Sequence, residues 1–524
     1  MKIELYDTTL RDGAQTQGIS FSVSDKIRVT EKLDILGIHY IEGGWPGANP
    51  KDIDFFKRAK KLKLKNAKLA AFGSTRRADT DVSRDVTLKG LLSADTEVVT
   101  IFGKSWGLHV KEVLKTTLEE NLKMIEESVK YLKSKGKCTM FDAEHFFDAY
   151  KENREYAIKT LLAASNGGAD RIILCDTNGG TLTSCIFDVV EDVKKKVNVP
   201  LGIHSHNDAD MAVANSISAV QAGCIQVHGT FNGYGERCGN ANLVSVIGNL
   251  KLKMGIDCIS DLSLKDLTET SYYIAEICNM KLADNQPFVG NSAFAHKAGV
   301  HVNAIVKNPK TYEHIEPARV GNRRTLLISE LSGKSSILEK AKEINLGLDK
   351  STPNTKKILE ELQKLEHGGY HFETAEASLE LFMKRALKKF KSFFELKDFR
   401  VIIEKGQKSR GGITSEATIK VKVNDKIEHT ASLGDGPVNA LDNALRKALK
   451  DFYPSLSEMH LTDFKVRVID EKVGTAAKVR VLIESQDKTD TWWTIGVSEN
   501  IIEASWQALV DSVEYKLLKD TEKA

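Results

Sequence analysis

The sequence has few cysteines, no excess of one charge and no long apolar run. Its 7 cysteines are scattered over 524 residues and never form a Cys-x-x-Cys pair, so we expect reduced thiols and a cytoplasmic protein. The net charge is +3 without an acidic or basic tail, which gives no reason to expect a nucleic acid or a membrane as partner. No apolar stretch is long enough to cross a bilayer. The first residues carry acids where a signal peptide would be apolar, so we expect no such peptide.

The first half of the chain has the rhythm of alternating strands and helices. Hydrophobic residues make up 41% of the chain and charged residues 28%, which is typical of globular proteins. Short apolar runs, each followed by a longer amphipathic stretch, predict eight strands. These runs are Ile3–Tyr6, His39–Glu42, Leu69–Phe72, Val98–Phe102, Cys138–Phe141, Arg171–Cys175, Leu201–His204 and Ile225–Gly229. Eight strand–helix units in about 250 residues predict an α/β fold, a (β/α)8 TIM barrel, with an open doubly wound sheet as the alternative.

The second half differs in character. Residues 334–390 have a helical pattern with a hinge at 367–369, and a pattern of three strands and a helix then occurs twice, ending in helices at 437–449 and 501–518. We therefore predict a catalytic barrel over 1–260, a helical linker region over 261–392 that helps to complete the active site, and a C-terminal α+β (βββα)2 domain over 393–524. The repeat indicates a binding or dimerisation module, and similar alternating patterning without duplication is the alternative.

A metal site is predicted by His204 and His206 at the end of the seventh run. Side chains two apart on a strand point the same way, and two imidazoles with one carboxylate suit a divalent metal that keeps positions open for substrate. Asp12 follows the first run, and Asn240 follows the eighth. Because the ends of the strands gather at one mouth of a parallel barrel, we expect these residues to meet there. Chance or core packing is the alternative for a His-x-His pair.

Other polar residues follow the strands and predict substrate contacts. Arg11 could hold a carboxylate or stabilise an enolate through its fork of donors, and Gln15 could form a hydrogen bond with the substrate nearby. Glu144 is a candidate to orient the bound acid. Thr177 offers a hydroxyl group to a carboxylate, and helix capping by Thr177 or Asp176 is the alternative.

Further candidates have weaker signals. Asn207 and Asp208 are expected to orient the two imidazole rings. The glycine-rich segment 233–242 allows close backbone approach, as in phosphate-binding loops, or forms a tight structural turn. His301 and Tyr312 could act as base and acid if their segment folds over the mouth, and a structural role is the alternative. Three aromatic residues near strand ends could narrow the pocket or pack in the core: Phe72, Phe102 and Phe141.

Taken together, these motifs resemble the family of alpha-isopropylmalate, homocitrate and citramalate synthases, which are metal-dependent barrel enzymes. The resemblance covers nearly the whole chain. It depends on LYDTTLRDGAQ at 5–15, HSHND at 204–208, AVANS at 212–216, GERCGN at 235–240 and GDGPV at 434–438. One departure is Asp210, where members commonly carry glycine.

The resemblance implies roles for individual residues. Asp12, His204 and His206 would bind Zn, Mn or Mg, with Asn240 close to the metal. Arg11 and Thr177 would hold a 2-oxo acid, Glu144 would help to position it, and His301 would be the base with Tyr312 assisting. The segments 41–47, 288–290, 296–301 and 312–315 resemble the subgroup that uses pyruvate.

The implied reaction is the condensation of acetyl-CoA with pyruvate and water to give citramalate and CoA, in the pyruvate route to isoleucine. Family members that use 2-oxoisovalerate or 2-oxoglutarate are the first alternatives. An acyl-CoA lyase is a more distant one, which the added C-terminal repeat argues against. A non-catalytic amino-acid sensor is another, which the intact Arg11, Asp12, His204 and His206 argue against.

The C-terminal repeat resembles the allosteric dimerisation domain of the same family. This implies a homodimer with isoleucine, or else leucine, as feedback effector. Free backbone N–H groups at Gly434, Asp435 and Gly436, at the start of a predicted helix, could bind the effector carboxylate. A purely structural dimer interface is the alternative.

Overall fold

The computed structural model describes residues 2–297, 299–326, 353–372, 374–405, 413–469 and 477–523. It divides into two compact units, the first made of residues 1–294 and 314–324 and the second of residues 295–313 and 325–524. The boundaries that we predicted after residues 260 and 392 stay predictions. Within the described residues, no helix is long and apolar enough to span a membrane.

The first unit contains a closed barrel of eight parallel strands, so the predicted fold class is confirmed. The strands are β1 Glu4–Asp7, β2 Tyr40–Gly44, β3 Lys68–Ser74, β4 Val98–Lys104, β5 Cys138–Glu144, β6 Arg171–Asp176, β7 Leu201–Ser205 and β8 Gln226–Gly229. Each pairs with the next, and β1 pairs with β8 to close the ring. All eight predicted strands are present. The carboxyl ends of the strands therefore meet at one mouth, as the sequence led us to expect.

Helices surround the barrel. They are α1 Val23–Leu36, α2 Pro50–Ala59, α3 Val86–Ser93, α4 Gly107–Glu112, α5 Leu118–Ser134, α6 Phe146–Glu152, α7 Arg154–Gly167, α8 Thr183–Lys194, α9 Ala212–Ala222, α10 Leu243–Leu252, α11 Asp261–Lys265 and α12 Leu267–Ile277. Short 3-10 turns lie at Gly13–Gln15, Phe231–Gly233 and Pro317–Val320. Helix α1 begins with a capping box, in which the Ser22 side chain accepts from the Asp25 N–H and the Asp25 side chain accepts from the Ser22 N–H. This reciprocal pair satisfies two free donors of the first turn.

The barrel interior changes character along its axis. Tyr6, Ala70, Val98 and Met140 form a buried cluster inside the ring. The Tyr6 hydroxyl donates to Glu42, which is fully buried. Glu4 pairs with Arg171 at the amino ends of their strands, so the apolar cluster lies between polar side chains there and the predicted site residues at the carboxyl ends.

The second unit contains the predicted repeat. Its strands are β9 Ala295–His296, β10 Thr325–Leu326, β11 Glu395–Lys405, β12 Ile413–Val423, β13 Lys426–Gly434, β14 His460–Val468, β15 Val479–Gln486 and β16 Thr491–Ser498. Its helices are α13 Gly299–Lys307, α14 Pro353–His367, α15 Glu376–Ala386, α16 Pro437–Leu449 and α17 Ile501–Lys523, with 3-10 turns at Pro309–Thr311 and Pro454–Glu458. β11–β12–β13 and β14–β15–β16 form two antiparallel sheets, each followed by a helix. The predicted (βββα)2 order is confirmed, and residues 334–352 of the predicted helical stretch lie outside the described residues.

The two halves of this repeat share a specific contact. The Thr430 hydroxyl, in β13, donates to the Ala444 carbonyl, in α16, at 2.9 Å. The Thr494 hydroxyl, in β16, donates to the Ala508 carbonyl, in α17, at 2.8 Å. In both halves the donor and acceptor are 14 residues apart, so the repeat extends from sequence patterning to tertiary structure.

Candidate metal centre and active site

Asp12, His204 and His206 meet at the carboxyl end of the barrel. His204 lies in β7, His206 follows β7 directly, and Asp12 follows β1. All three are buried, and their ligand atoms lie within 4.8 Å of one another. They are the one such group of His, Cys, Asp and Glu side chains in the part of the chain that the structure describes.

The geometry of these atoms fits one divalent cation. The Nε2 atoms of His204 and His206 are 3.4 Å apart. Asp12 Oδ2 lies 3.3 Å from the first and 3.9 Å from the second. A metal about 2.1 Å from each ligand separates neighbouring ligand atoms by about 3 to 3.5 Å. Two oriented nitrogens and one carboxylate oxygen therefore leave room for a metal between them.

Asn240 lies beside Asp12 and His204. Its Nδ2 donates to Asp12 Oδ2 at 2.8 Å and lies 3.3 Å from His204 Nε2. Its Oδ1 is buried and has no hydrogen-bond partner among the described residues. Because the two ends of an amide exchange by rotation, this oxygen can turn toward a cation. Gly235 makes room for the side chain, since a Cβ there would lie 2.1 Å from Asn240 Oδ1.

The electrostatic surroundings of Asp12 and His206 favour the protonation states in which these side chains can bind a metal. Burial opposes ionisation of Asp12, but Arg11 and the two imidazoles outweigh it and hold the pKa of that carboxyl well below its usual range. Burial, with His204 beside it, lowers the pKa of His206 to about 3. At neutral pH the carboxylate is therefore charged and the His206 ring is neutral, which are the forms that bind a metal.

Arg11 is held by contacts that the sequence did not predict. Its Nε donates to Glu42 at 2.5 Å, and its guanidinium lies 3.8 Å above the centre of the Phe72 ring. Glu42 also accepts a hydrogen bond from the Tyr6 hydroxyl at 2.7 Å. A buried carboxylate and an aromatic face thus fix the guanidinium at the mouth. The signal for Glu42 was its place at the end of the second strand, before two glycines.

A cavity of about 230 Å³ lies beside the metal centre. Its lining includes the predicted residues Arg11, Asp12, Gln15, Glu144, Thr177, His204 and His206, together with Trp45, Phe72, Phe102, Asp142, Cys175, Glu236 and Arg237. Phe72 and Phe102 stack 5.5 Å apart, and Trp45 packs edge-on against both. These rings form an aromatic wall. Phe141 is fully buried in the core cluster instead, and Trp45 is a wall residue for which sequence analysis proposed no function.

Thr177 and Glu144 face this cavity with different bonding. Thr177 Oγ1 accepts from the His145 N–H at 2.9 Å, so its own proton stays available to a ligand. Asp176 instead accepts from the Thr181 hydroxyl at 2.7 Å, and the next helix begins at Thr183. Neither side chain caps that helix, so the alternative of helix capping is wrong for Thr177 and Asp176. Glu144 forms an ion pair with Lys104.

The prediction that Asn207 and Asp208 orient the imidazoles is wrong. The Nδ1 atoms of His204 and His206 have no hydrogen-bond partner within the described ranges. Asp208 accepts from Arg237 at 2.8 and 3.0 Å, and the Asn207 side chain accepts from the Ala212 N–H. Both side chains therefore stabilise the loops at the mouth and leave the rings to be held by packing.

The backbone at Asp210 and Gly239 has positive φ angles, which glycine adopts most easily. Asp210 has a φ of 57°, in the left-handed region that glycine favours and aspartate tolerates. Gly239 has a φ of 87°, and a Cβ there would lie 2.0 Å from the Gly233 carbonyl oxygen. The departure at Asp210 therefore leaves the loop conformation intact, and the glycine-rich segment forms a tight turn around Asn240.

His301 and Tyr312 lie together in the second unit. Their ring centres are 4.2 Å apart, and both side chains are exposed. In the same unit, Gly434, Asp435 and Gly436 precede α16, as predicted. The Asp435 N–H already donates to Asn439 Oδ1 at 3.1 Å, so one of the three N–H groups proposed for an effector is occupied.

Comparison with protein families places this geometry in a known class. The HMGL-like family matches residues 2–274, the homocitrate synthase post-HMGL domain-like family matches residues 288–369, and the LeuA allosteric (dimerisation) domain matches residues 373–517. HMGL-like enzymes are metal-dependent, and the barrel contains a candidate metal site formed by Asp12, His204 and His206. The fold and the site therefore define an HMGL-like condensing enzyme, and the LeuA match indicates a dimer under allosteric control.

Full-length relatives define the family more narrowly. The chain is 58% identical to an (R)-citramalate synthase of Aquifex aeolicus, over 100% of this chain and 99% of the relative. It is 57% identical to one of Geobacter sulfurreducens, over 99% and 98%, and 50% identical to one of Synechocystis sp., over 98% and 96%. The chain belongs to the family of (R)-citramalate synthases.

Proposed function

We propose that this enzyme condenses acetyl-CoA with pyruvate and water to give citramalate and CoA. Family membership supports the substrates. The observation that carries the proposal is the convergence of Asp12, His204 and His206 beside Arg11 in one cavity. A lyase or a sensor built on the same barrel is less well supported, because the full-length relatives reported above are synthases.

The metal would be held by Asp12, His204 and His206, with Asn240 as a further donor. When bound, a divalent ion such as Zn, Mn or Mg supplies Lewis acidity that polarises a carbonyl group. The remaining chemistry belongs to side chains of this chain. Arg11 would bind the substrate and stabilise the alkoxide that forms on the former ketone, because its guanidinium is already fixed by Glu42 and Phe72.

The 2-oxo acid would be held by Arg11, Thr177 and Gln15. The Thr177 hydroxyl is free to donate because its oxygen accepts from a backbone N–H. Glu144, paired with Lys104, would position the bound acid at the edge of the cavity. The aromatic wall of Trp45, Phe72 and Phe102 would contact the methyl group of pyruvate and leave less room for the isopropyl group of 2-oxoisovalerate.

We assign proton transfer to His301, with Tyr312 assisting. His301 would remove a proton from the methyl group of acetyl-CoA, and the resulting enolate carbon would form a bond to the carbonyl carbon of pyruvate. Water would then attack the thioester and release CoA as the free thiol. The contact between the two rings supports a shared role.

For regulation we propose end-product feedback in a homodimer, with isoleucine as the first candidate and leucine as the second. Gly434, Asp435 and Gly436 remain the proposed effector contacts. Asn439 would have to release the Asp435 N–H for all three groups to bind a carboxylate. The cytoplasm is the proposed location, on the basis of the cysteine content of the sequence.

A single assay tests the reaction. The purified protein is incubated with Mg, Mn or Zn, acetyl-CoA and a panel of 2-oxo acids, and the release of free thiol is followed. Pyruvate-dependent release is expected. A preference for 2-oxoisovalerate would indicate isopropylmalate synthesis instead, and a preference for 2-oxoglutarate would indicate homocitrate synthesis. Unchanged kinetics with millimolar isoleucine would contradict regulation by that amino acid.

A further inference from the structure

Asp142 is a buried carboxyl group in the cavity to which the proposed mechanism gives no role. It lies in β5, two residues before Glu144, and lines the cavity beside the metal centre. It is only 4% exposed, and its Oδ1 has no hydrogen-bond partner in the described part of the chain. A buried polar atom without a partner is costly, and this one belongs to a residue that lines the cavity to which we assign the 2-oxo acid.

The surroundings of Asp142 favour its acid form. Burial and the charge of Glu42 raise the pKa of Asp142 to about 7. The charged and titratable groups that interact with it are Tyr6 in β1, Arg11 and Asp12 after β1, Glu42 in β2, Cys175 in β6 and His204 in β7. A substrate carboxylate in this cavity would raise the pKa of Asp142 further, whereas a divalent cation at Asp12, His204 and His206 would lower it.

Pyruvate has three oxygen atoms, all of which accept hydrogen bonds, and it has no donor. Its site must therefore supply donors. Arg11 is one, and the Thr177 hydroxyl is another. Glu144 is already engaged by Lys104. A protonated Asp142 would offer the cavity a third donor without an acceptor of its own on the protein.

We propose that Asp142 is a further substrate-binding residue, whose carboxyl group donates a hydrogen bond to an oxygen of the 2-oxo acid held by Arg11 and Thr177. This inference rests on the proposed function. It predicts that binding of pyruvate, rather than binding of acetyl-CoA or metal, depends on this side chain.

Two variants test the contact by steady-state kinetics and metal analysis. Asp142→Ala removes the donor, and we expect the KM for pyruvate to rise about tenfold or more, with the KM for acetyl-CoA and the bound metal within twofold of wild type. Asp142→Asn keeps the size and an N–H donor, and should return the KM for pyruvate to within about threefold of wild type. In the metal-loaded wild-type enzyme, kcat/KM for pyruvate should fall as pH rises through the pKa of Asp142, because an ionised Asp142 cannot donate and repels the substrate. The Asp142→Asn enzyme should lose this fall.

A matched control is available in Asp7. Burial raises its pKa to about 7 as well, but its carboxylate accepts from the Thr9 N–H and hydroxyl, outside the lining of the cavity. Asp7→Asn should leave the KM for pyruvate and its pH profile unchanged.

An unchanged KM for pyruvate in metal-loaded Asp142→Ala, or a fall of kcat/KM with pH that persists in Asp142→Asn, would overturn this inference and leave the proposed function standing. If Asp142→Ala fails to fold, the pH profile of Asp142→Asn decides. Absence of pyruvate turnover and pyruvate binding in the wild-type protein would reject the proposed function together with this contact.

Discussion

At the scale of single residues, the metal centre depends on residues that are distant in sequence and adjacent in space. Strand position was enough to predict that Asp12, His204, His206 and Asn240 approach one another, because the ends of parallel strands converge. The hydrogen bond from Arg11 to Glu42 could not be predicted in the same way. It requires the direction of the Glu42 side chain inside the ring, which depends on packing with Tyr6 and not on local sequence.

The first prediction concerns His206. We expect His206→Ala to lose bound metal and turnover together, because one of the two imidazole ligands disappears. Metal content measured by plasma mass spectrometry and thiol release in the same preparation check this. His109→Ala is the matched control, since that ring packs on Trp106 and His145 outside the cavity lining. A His206→Ala protein with full metal and activity would show that the centre is elsewhere.

The second prediction concerns Asp7 and the pH dependence of stability. Because burial raises its folded-state pKa to about 7, the folded protein binds a proton that the unfolded chain has released above pH 4. Asp7 therefore makes stability fall as pH rises from about 4 to about 7, by up to about 1.4 kcal/mol per pH unit. Asp7→Asn should flatten this part of the profile.

Urea unfolding at several pH values, compared between wild type and Asp7→Asn, measures this difference directly. Asp54→Asn, at an exposed aspartate of α2, is the control and should keep the wild-type slope. Equal slopes for wild type and Asp7→Asn would contradict the raised folded-state pKa.

At the scale of elements, periodicity predicted the order of strands and helices well and their ends less well. The helical pattern of the sequence starts at Ser24, but Ser22 caps α1, because it is three residues before the Asp25 that completes the capping box. The helical pattern of residues 271–280 corresponds to α12, Leu267–Ile277, which starts earlier and ends before Asn279, a residue with a φ of 53°. Ends are set by individual hydrogen bonds and left-handed residues, which a periodic pattern does not reveal.

The third prediction uses the duplicated Thr–carbonyl contact. Thr494→Val should destabilise the second unit by about 1–3 kcal/mol, because the hydroxyl is fully buried and the Ala508 carbonyl loses a donor with no water to replace it. Thr430→Val should cost less than about 1 kcal/mol, because its environment is only partly buried. Urea unfolding of the two variants measures the difference. Equal losses would show that burial does not distinguish the two halves.

At the scale of the whole molecule, the chain consists of a barrel that carries the metal centre and a second unit that carries the repeat. The sequence predicted both architectures, since each has its own period of strands and helices. It placed residues 295–313 in the linker region and could not show which compact unit they join. These residues belong to the second unit, whereas residues 314–324 belong to the first. Local patterning contains no information on which unit a short segment joins, and the roles of His301 and Tyr312 therefore remain proposals.

The last prediction links the metal to the stability of the barrel. A cation held by Asp12 after β1 and by His204 and His206 at β7 connects the two strands that flank β8, where the ring closes. An ion that binds only the folded barrel should stabilise it by about 2.7 kcal/mol at a hundredfold excess over its Kd. We expect metal to increase hydrogen-exchange protection in peptides of β1, β7 and β8, and to leave peptides of β12 and β15 in the second unit unchanged. His206→Ala should abolish the increase. Protection that rises equally in both units, or that persists in His206→Ala, would mean that the ion binds at some other place than the mouth of the barrel.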